Sequence, residues 1–193
     1  AKENGKTVIR LYNTCLANSQ FTEKYHDNIL KNCSKKTDMF LEYLEQNTHI
    51  KTIIVAHRWA KRTRIMEERY GVKDPFEFRR KSLISLVKDI EKMGRRVIIL
   101  AQVPKIKHKS DNAPSVYARM KNRGIDTEKY INPTLESIEE NQKNILPIFD
   151  ELQKTTNATI IWPYKALCET KTRLCAIEDD DGFYYYDDDH ISK

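Results

Sequence analysis

Three short apolar runs constrain this chain most: Ile53-Ile54-Val55-Ala56, Val97-Ile98-Ile99-Leu100-Ala101 and Ala158-Thr159-Ile160-Ile161-Trp162. Each is continuous rather than alternating, so each suits a strand covered on both faces, as in a parallel sheet. Helical patterns lie between them. Pro75 opens a helix from about Phe76 to Met93, with apolar residues at Phe76, Leu83, Leu86, Val87 and Ile90, and Gly94 stops it. A second helix is predicted from Pro133 to Thr155, kinked at its interior Pro147. Met39, Phe40, Tyr43 and Leu44 mark a shorter one over 38–46, and Thr7–Tyr12 reads as a further strand. Residues 13–34 read as a polar loop with a helical turn around 21–30, and residues 105–123 as a long basic loop with a short helix, broken by Pro114. The alternation of strand and helix predicts an α/β fold, a mostly parallel sheet with helices on both faces. In such folds chemistry gathers outside the carboxyl ends of the strands. Tyr12-Asn13, His57-Arg58-Trp59, Gln102-Val103-Pro104 and Pro163-Tyr164 leave their strands at that edge.

With 193 residues one domain over 1–193 is the expectation. No run approaches the roughly 18 consecutive apolar residues of a membrane span, and Ala1–Lys6 lacks the apolar segment of a signal peptide. Any targeting information is expected to be removed or to lie in a longer parent. The net charge of +6 hides an asymmetry: residues 1–124 hold 27 Lys and Arg against 13 Asp and Glu, and residues 125–193 hold 7 against 15. A basic first part suits an anionic glycan or phospholipid headgroups, or is a solvated surface. No zinc-finger spacing, Arg-rich helix or ribonucleoprotein motif is present, so no nucleic-acid partner is expected. The four cysteines, Cys15, Cys33, Cys168 and Cys175, do not have metal-knuckle spacing. They allow three connectivities. The local pairs 15/33 and 168/175 suit two disulfides, each tying down a loop in an oxidising compartment; four unpaired thiols in a reducing one is the alternative.

Near the end of the chain an aromatic run, Phe183-Tyr184-Tyr185-Tyr186, leads into Asp187-Asp188-Asp189-His190. A carboxylate and an imidazole three residues apart can supply two members of a hydrolase triad. The imidazole moves a proton near neutral pH, and the carboxylate fixes its tautomer and stabilises the imidazolium. The plain reading is a histidine beside a solvated acidic loop. No nucleophile accompanies the pair. Ser19, Ser34, Ser82, Ser85, Ser110, Ser115 and Ser137 are not in a strand-turn-helix elbow, and Ser192 is too close to His190 along the chain. The acidic clusters 178–181 and 187–189 lack EF-hand ligand spacing, so no metal is expected. Arg58 can stabilise a developing anion, and Trp59 can stack on a sugar; equally, Arg58 can pair with a surface acid and Trp59 can cap the core.

These residues together resemble the SGNH-hydrolase-type domain at the C-terminus of bacterial membrane acyltransferases of the acyltransferase-3 family. The resemblance covers nearly the whole chain. It is carried by Val55-Ala56-His57-Arg58-Trp59, by Val97 to Pro104, by Leu167-Cys168 with Cys175, and above all by Tyr185-Tyr186-Asp187-Asp188-Asp189-His190-Ile191-Ser192. It implies a three-layer α/β/α, flavodoxin-like fold with Asp187 and His190 as catalytic residues. It also implies a serine nucleophile in a Gly-Asp-Ser-His block. That block is expected upstream of Ala1, because Ala1–Lys6 resembles the end of the helix that follows it. The chain is thus expected to be a fragment without the family's first strand, inactive alone, which folds with upstream residues or departs from the family's sheet. Where ordinary SGNH enzymes carry Gly-x-Asn-Asp, this chain has His57-Arg58-Trp59, so Arg58 is the candidate oxyanion partner and Trp59 a candidate for substrate binding. The implied activity is Ser-His-Asp O-acyl transfer, most simply O-acetylation of a surface polysaccharide, without a cofactor. A membrane domain would deliver the acyl group at the periplasmic or extracellular face of the inner membrane. Lys105, Lys107, Lys109 and Arg119 would attract an anionic glycan. A carbohydrate esterase and a non-catalytic glycan-binding domain are the alternatives.

Overall fold

The computed structural model describes residues 16–17, 19–22, 28–57, 59, 72–107 and 112–192. The strand expected at Thr7–Tyr12 lies outside them, as do Cys15, Arg58 and Lys109. In chain order the elements are helices α1 (Ser19–Thr22) and α2 (Asn28–Gln46), strand β1 (Thr52–Ala56), α3 (Pro75–Lys92), β2 (Arg96–Leu100), α4 (Ala113–Asn122) and α5 (Thr127–Tyr130). Then follow α6 (Leu135–Gln142), α7 (Leu146–Thr155), β3 (Thr159–Ile161), α8 (Tyr164–Leu167), β4 (Glu178–Asp179) and β5 (Gly182–Phe183). The three apolar runs form β1, β2 and β3, in the order β1-β2-β3. β2 and β3 pair in parallel with Ile98 opposite Thr159 and Leu100 opposite Ile161. This is the α/β class with a parallel sheet that the runs predict.

The chain divides into two compact units. One takes the described residues of Ala1–Ile53, Arg62–Val97 and Leu152–Ala158. Its α2 buries Leu30, Cys33, Ser34, Thr37 and Leu44, a helical stripe. Ala17, Leu30, Val72 and Phe78 form one of its clusters. The Arg95 guanidinium donates to the carbonyls of Leu44 (3.1 Å) and Met93 (3.0 Å), satisfying acceptors at the end of α2 and just past α3. Asp74 caps α3 by accepting from the Glu77 amide at 2.9 Å, with Pro75 in the first turn. At its other end Gly94 adopts φ +73°, and the amides of Gly94 and Arg95 return to the carbonyls of Glu91 and Ile90. That is a Schellman turn, which requires the left-handed backbone glycine tolerates.

The other unit takes Ile54–Lys61, Ile98–Glu151 and Thr159–Lys193. Its core cluster joins Ile106, Ala113, Tyr117, Ile131, Ile177 and Tyr185. Tyr117 stacks on Phe183 with ring centroids 4.5 Å apart, which fastens α4 to the β4–β5 hairpin. That hairpin turns through Asp180-Asp181 and closes on Gly182, whose φ of +115° suits glycine. Cys168 and Cys175 are disulfide-bonded and lie opposite each other in an antiparallel bridge. Asn132 and Pro133 hold that loop through the Cys175 carbonyl and amide, both at 3.0 Å. Cys33 is also disulfide-bonded; Cys15, its expected partner, lies outside the described residues.

Four local expectations are corrected. Residues 28–34 continue α2 rather than forming a loop, because the hydroxyl of Ser34 is satisfied inside the helix by the Lys31 carbonyl at 2.8 Å. The region Pro133–Thr155 holds two helices, α6 and α7, separated by the turn at 143–145. Pro147 does not kink a helix; it sits in the first turn of α7, where a missing amide costs nothing. Pro114 likewise starts α4, behind an Asn112 cap that accepts from the Ser115 amide at 3.2 Å.

Ile99 in β2 is fully buried, whereas Ile161 in β3 is 47% exposed. Ile99→Ala is expected to lower the unfolding free energy by about 2–5 kcal/mol, and Ile161→Ala by less than about 1 kcal/mol. Urea midpoints at constant slope measure both; equal losses would contradict the burial pattern.

Candidate active site

The segment that leaves β2 positions the site. Its backbone groups are engaged one after another: the Ala101 amide donates to the Ile161 carbonyl at 2.9 Å, and the Gln102 carbonyl accepts from Gln142 at 3.3 Å. The Pro104 carbonyl accepts from the Tyr185 hydroxyl at 2.8 Å. The Ile106 amide donates to the Asp188 carbonyl at 3.0 Å, and the Lys107 amide to Ile131 at 2.9 Å. Two of these partners, Tyr185 and Asp188, belong to the loop that carries the Asp187–His190 motif. Lys105 adds an ion pair with Asp188 at 2.7 Å. The motif therefore folds back to the carboxyl end of β2, as the sequence requires of a catalytic loop.

Within the loop, Tyr185 and Ile191 form an antiparallel bridge. The Tyr186 amide donates to the His190 carbonyl at 2.9 Å, and the Ser192 amide to Tyr184 at 2.7 Å. Asp187 shapes the bend at its tip. Its Oδ1 accepts from the amides of Asp189 (2.9 Å) and His190 (2.8 Å). The same carboxylate meets His190 Nδ1, with Oδ2 at 2.7 Å. Asp189 brings a second carboxylate to that nitrogen at 3.2 Å. The His190 side chain is 60% exposed and that of Asp187 19%. Among the described residues Nε2 has no hydrogen-bond partner. Burial pushes the Asp187 carboxyl up, but the Asp189 amide and the His190 ring and amide outweigh it and hold the carboxyl below its usual range. Burial alone pushes the Tyr185 phenol well up.

Such a pair fixes the imidazole: with its proton held on Nδ1, Nε2 is left as an acceptor. Asp187, Asp189 and His190 each also bring one ligand atom within 4.8 Å of the others. The Asp187–His190 hydrogen bonds account for that closeness without a cation.

Among the described residues, Lys105 is the one remaining sequence candidate bonded to this loop. Arg58 lies outside the described residues. Trp59 is 1% exposed; its indole donates to the Leu100 carbonyl at 2.7 Å and its ring meets Phe149 edge-on at 5.1 Å. Burial leaves no face for a sugar, so of the two readings of Trp59 the one that caps the core fits. Lys105 pairs with Asp188, and Lys107 donates to the carbonyls of Glu128 and Lys129. Sequence reasoning missed the straps made by Tyr185 and Asp188. Nothing in a run of three tyrosines and three aspartates distinguishes the member that reaches a carbonyl 81 residues away.

Tyr185→Phe leaves a buried carbonyl without its donor and is expected to cost about 1–3 kcal/mol of stability, whereas the exposed Tyr186 tolerates the same change. A second expectation concerns pH. Because Asp187 is held below the unfolded carboxyl value of about 3.9, its ionisation contributes stability that is in place above about pH 4 and lost as pH falls through the lower folded value. The stability difference between wild type and Asp187→Asn should therefore grow as pH rises toward about 4. A difference that does not grow over that range would contradict the assignment.

Neither the curated proteins nor the solved structures include a match to the chain. One family does match, over residues 1–193: the SGNH domain described as fused to AT3 domains. The chain, an α/β domain with a parallel sheet, belongs to that acyltransferase-associated SGNH family.

Proposed function

We propose that this chain is the extracytoplasmic part of an O-acyltransferase that modifies a cell-surface polysaccharide, most simply by acetylation, with His190 as general base and Asp187 as its orienting acid. In the first half-reaction a serine hydroxyl gives its proton to His190 Nε2 as its oxygen attacks the acyl carbonyl. The bond to the donor's leaving group breaks, and that group takes the proton. In the second, a sugar hydroxyl gives its proton to Nε2 and attacks the acyl-serine. The serine ester breaks, and the serine oxygen recovers the proton. Asp187 accepts from Nδ1 throughout and stabilises the imidazolium. The serine belongs outside the described residues. Among them Ser34, Ser85, Ser137 and Ser192 are engaged elsewhere, and none is bonded to His190. On this reading it lies in a block preceding Ala1, as the resemblance to the family implies.

The observation that carries this reading is the 2.7 Å contact between Asp187 and His190 Nδ1, on a loop strapped to the exit of β2. The fusion described for the family supports a membrane acyltransferase domain as the source of the acyl group. The Cys168–Cys175 disulfide supports an oxidising compartment. Among the described residues no helix is long and apolar enough to cross a membrane, so this reading leaves the membrane step to the fused domain. The exposure of the His190 ring favours hydrolysis as a second reading: the same groups would pass the acyl unit to water, and the chain would be an esterase.

His190→Ala in the full-length protein is expected to abolish glycan acetylation, and Asp187→Asn to lower its rate by about 10²–10⁴-fold. Acetyl content of the isolated glycan measures both. Unchanged acetylation with His190→Ala would overturn the proposal; release of free acetate without glycan labelling would select the esterase reading.

A further inference from the structure

The loop that carries His190 presents a second side chain beside it. The pairs Tyr184/Ser192, Tyr185/Ile191 and Tyr186/His190 lie opposite one another in a single antiparallel register. Side chains alternate along such a ladder, and opposite residues share a face. At the tip the exposures follow that alternation: Tyr185 is fully buried, whereas Tyr186 is 66% exposed and the His190 side chain 60%; farther back, Tyr184 and Ile191 both pack against the core cluster. Tyr186 thus stands on the outer face with His190. Among the described residues its ring and hydroxyl have no partner, and it is the most exposed large apolar side chain there. Among the described residues nothing uses this ring: Tyr185 supplies the buried strap, and only the Tyr186 backbone takes part in the loop. A single exposed aromatic needs no explanation of its own; what singles this one out is its place on the face of the loop that carries the candidate base.

We propose that Tyr186 binds the acceptor, as a stacking platform for a pyranose ring whose hydroxyl is delivered to His190 Nε2. A pyranose offers an apolar face of C–H groups and an edge of hydroxyls. A flat phenol ring covers the face and leaves the edge free, which suits a reaction at one hydroxyl beside the platform. The contact needs the ring and not the phenol oxygen. This inference rests on the reading of His190 as general base in acyl transfer, and it names the class of acceptor.

The test is acetyl transfer by the full-length protein from p-nitrophenyl acetate to a panel of soluble oligosaccharides of β-1,4-linked glucose, β-1,4-linked N-acetylglucosamine and α-linked mannose, each varied in concentration. Tyr186→Ala is expected to raise the acceptor KM about tenfold or more, with kcat at saturating acceptor within about threefold of wild type and the melting temperature unchanged. Tyr186→Phe is expected to keep the wild-type KM. A wild-type KM in Tyr186→Ala overturns the assignment, as does a loss in Tyr186→Phe equal to that in Tyr186→Ala, or a fall in kcat alone. Acetate release that depends on His190 but reaches no sugar in the panel also overturns it, and leaves the reading of His190 standing. Absence of any turnover sensitive to His190→Ala removes the underlying reading instead.

Discussion

Backbone hydrogen bonding at the exit of β2 governs the rest of this structure. Once a strand passes the edge of its sheet, its amides and carbonyls lose their ladder partners, and each one left buried and unpaired costs about 1–3 kcal/mol. Here the stretch from Ala101 to Lys107 recovers partners from β3, from Gln142, from Ile131 and twice from the loop near the end of the chain. The Tyr185 hydroxyl on the Pro104 carbonyl and the Ile106 amide on Asp188 satisfy the strand exit, and the same bonds fix where residues 186–190 stand. The fold's own need for partners thus places the candidate catalytic pair.

Asp187 illustrates how closely local structure and chemistry are joined. One oxygen of its carboxylate closes the bend through two amides, and the carboxylate as a whole holds the imidazole. An acid free to rotate would lose entropy in orienting a histidine; this one is already held by the turn it makes. The donors around it keep it ionised against the push of partial burial. Each neighbour in the run has a different task. Asp188 pairs with Lys105, Asp189 adds a carboxylate to His190 Nδ1, and Tyr185 and Tyr186 point to opposite faces.

The strands were legible as three short continuous apolar runs, but they are not all covered on both faces as expected: Ile54 in β1 is 64% exposed and Ile161 in β3 47%. The ends of α3 were legible because Pro75 and Gly94 are needed at those positions. Other features were hidden for physical reasons. The first half of α2 buries Cys33, Ser34 and Thr37, which count as weak or polar in a hydrophobic pattern although their groups are satisfied locally. Pro147 and Pro114 read as breaks because a proline in a helix interior is one; in a first turn it is a start. At the site, Asp187 and His190 were visible as a pair. Their approach to β2 was not, since it depends on contacts between residues some eighty positions apart. Trp59 offered two readings until burial separated them.

The claim most open to direct measurement is that Asp187 holds the His190 proton on Nδ1 and leaves Nε2 bare. Nitrogen-15 spectra of histidine-labelled protein, with His190 assigned by its loss in His190→Gln, report the tautomer once the ring is neutral. The account predicts a protonated Nδ1 and an unprotonated Nε2, with the preference lost in Asp187→Asn. A proton on Nε2, or rapid averaging between the two nitrogens in the wild-type protein, would contradict it.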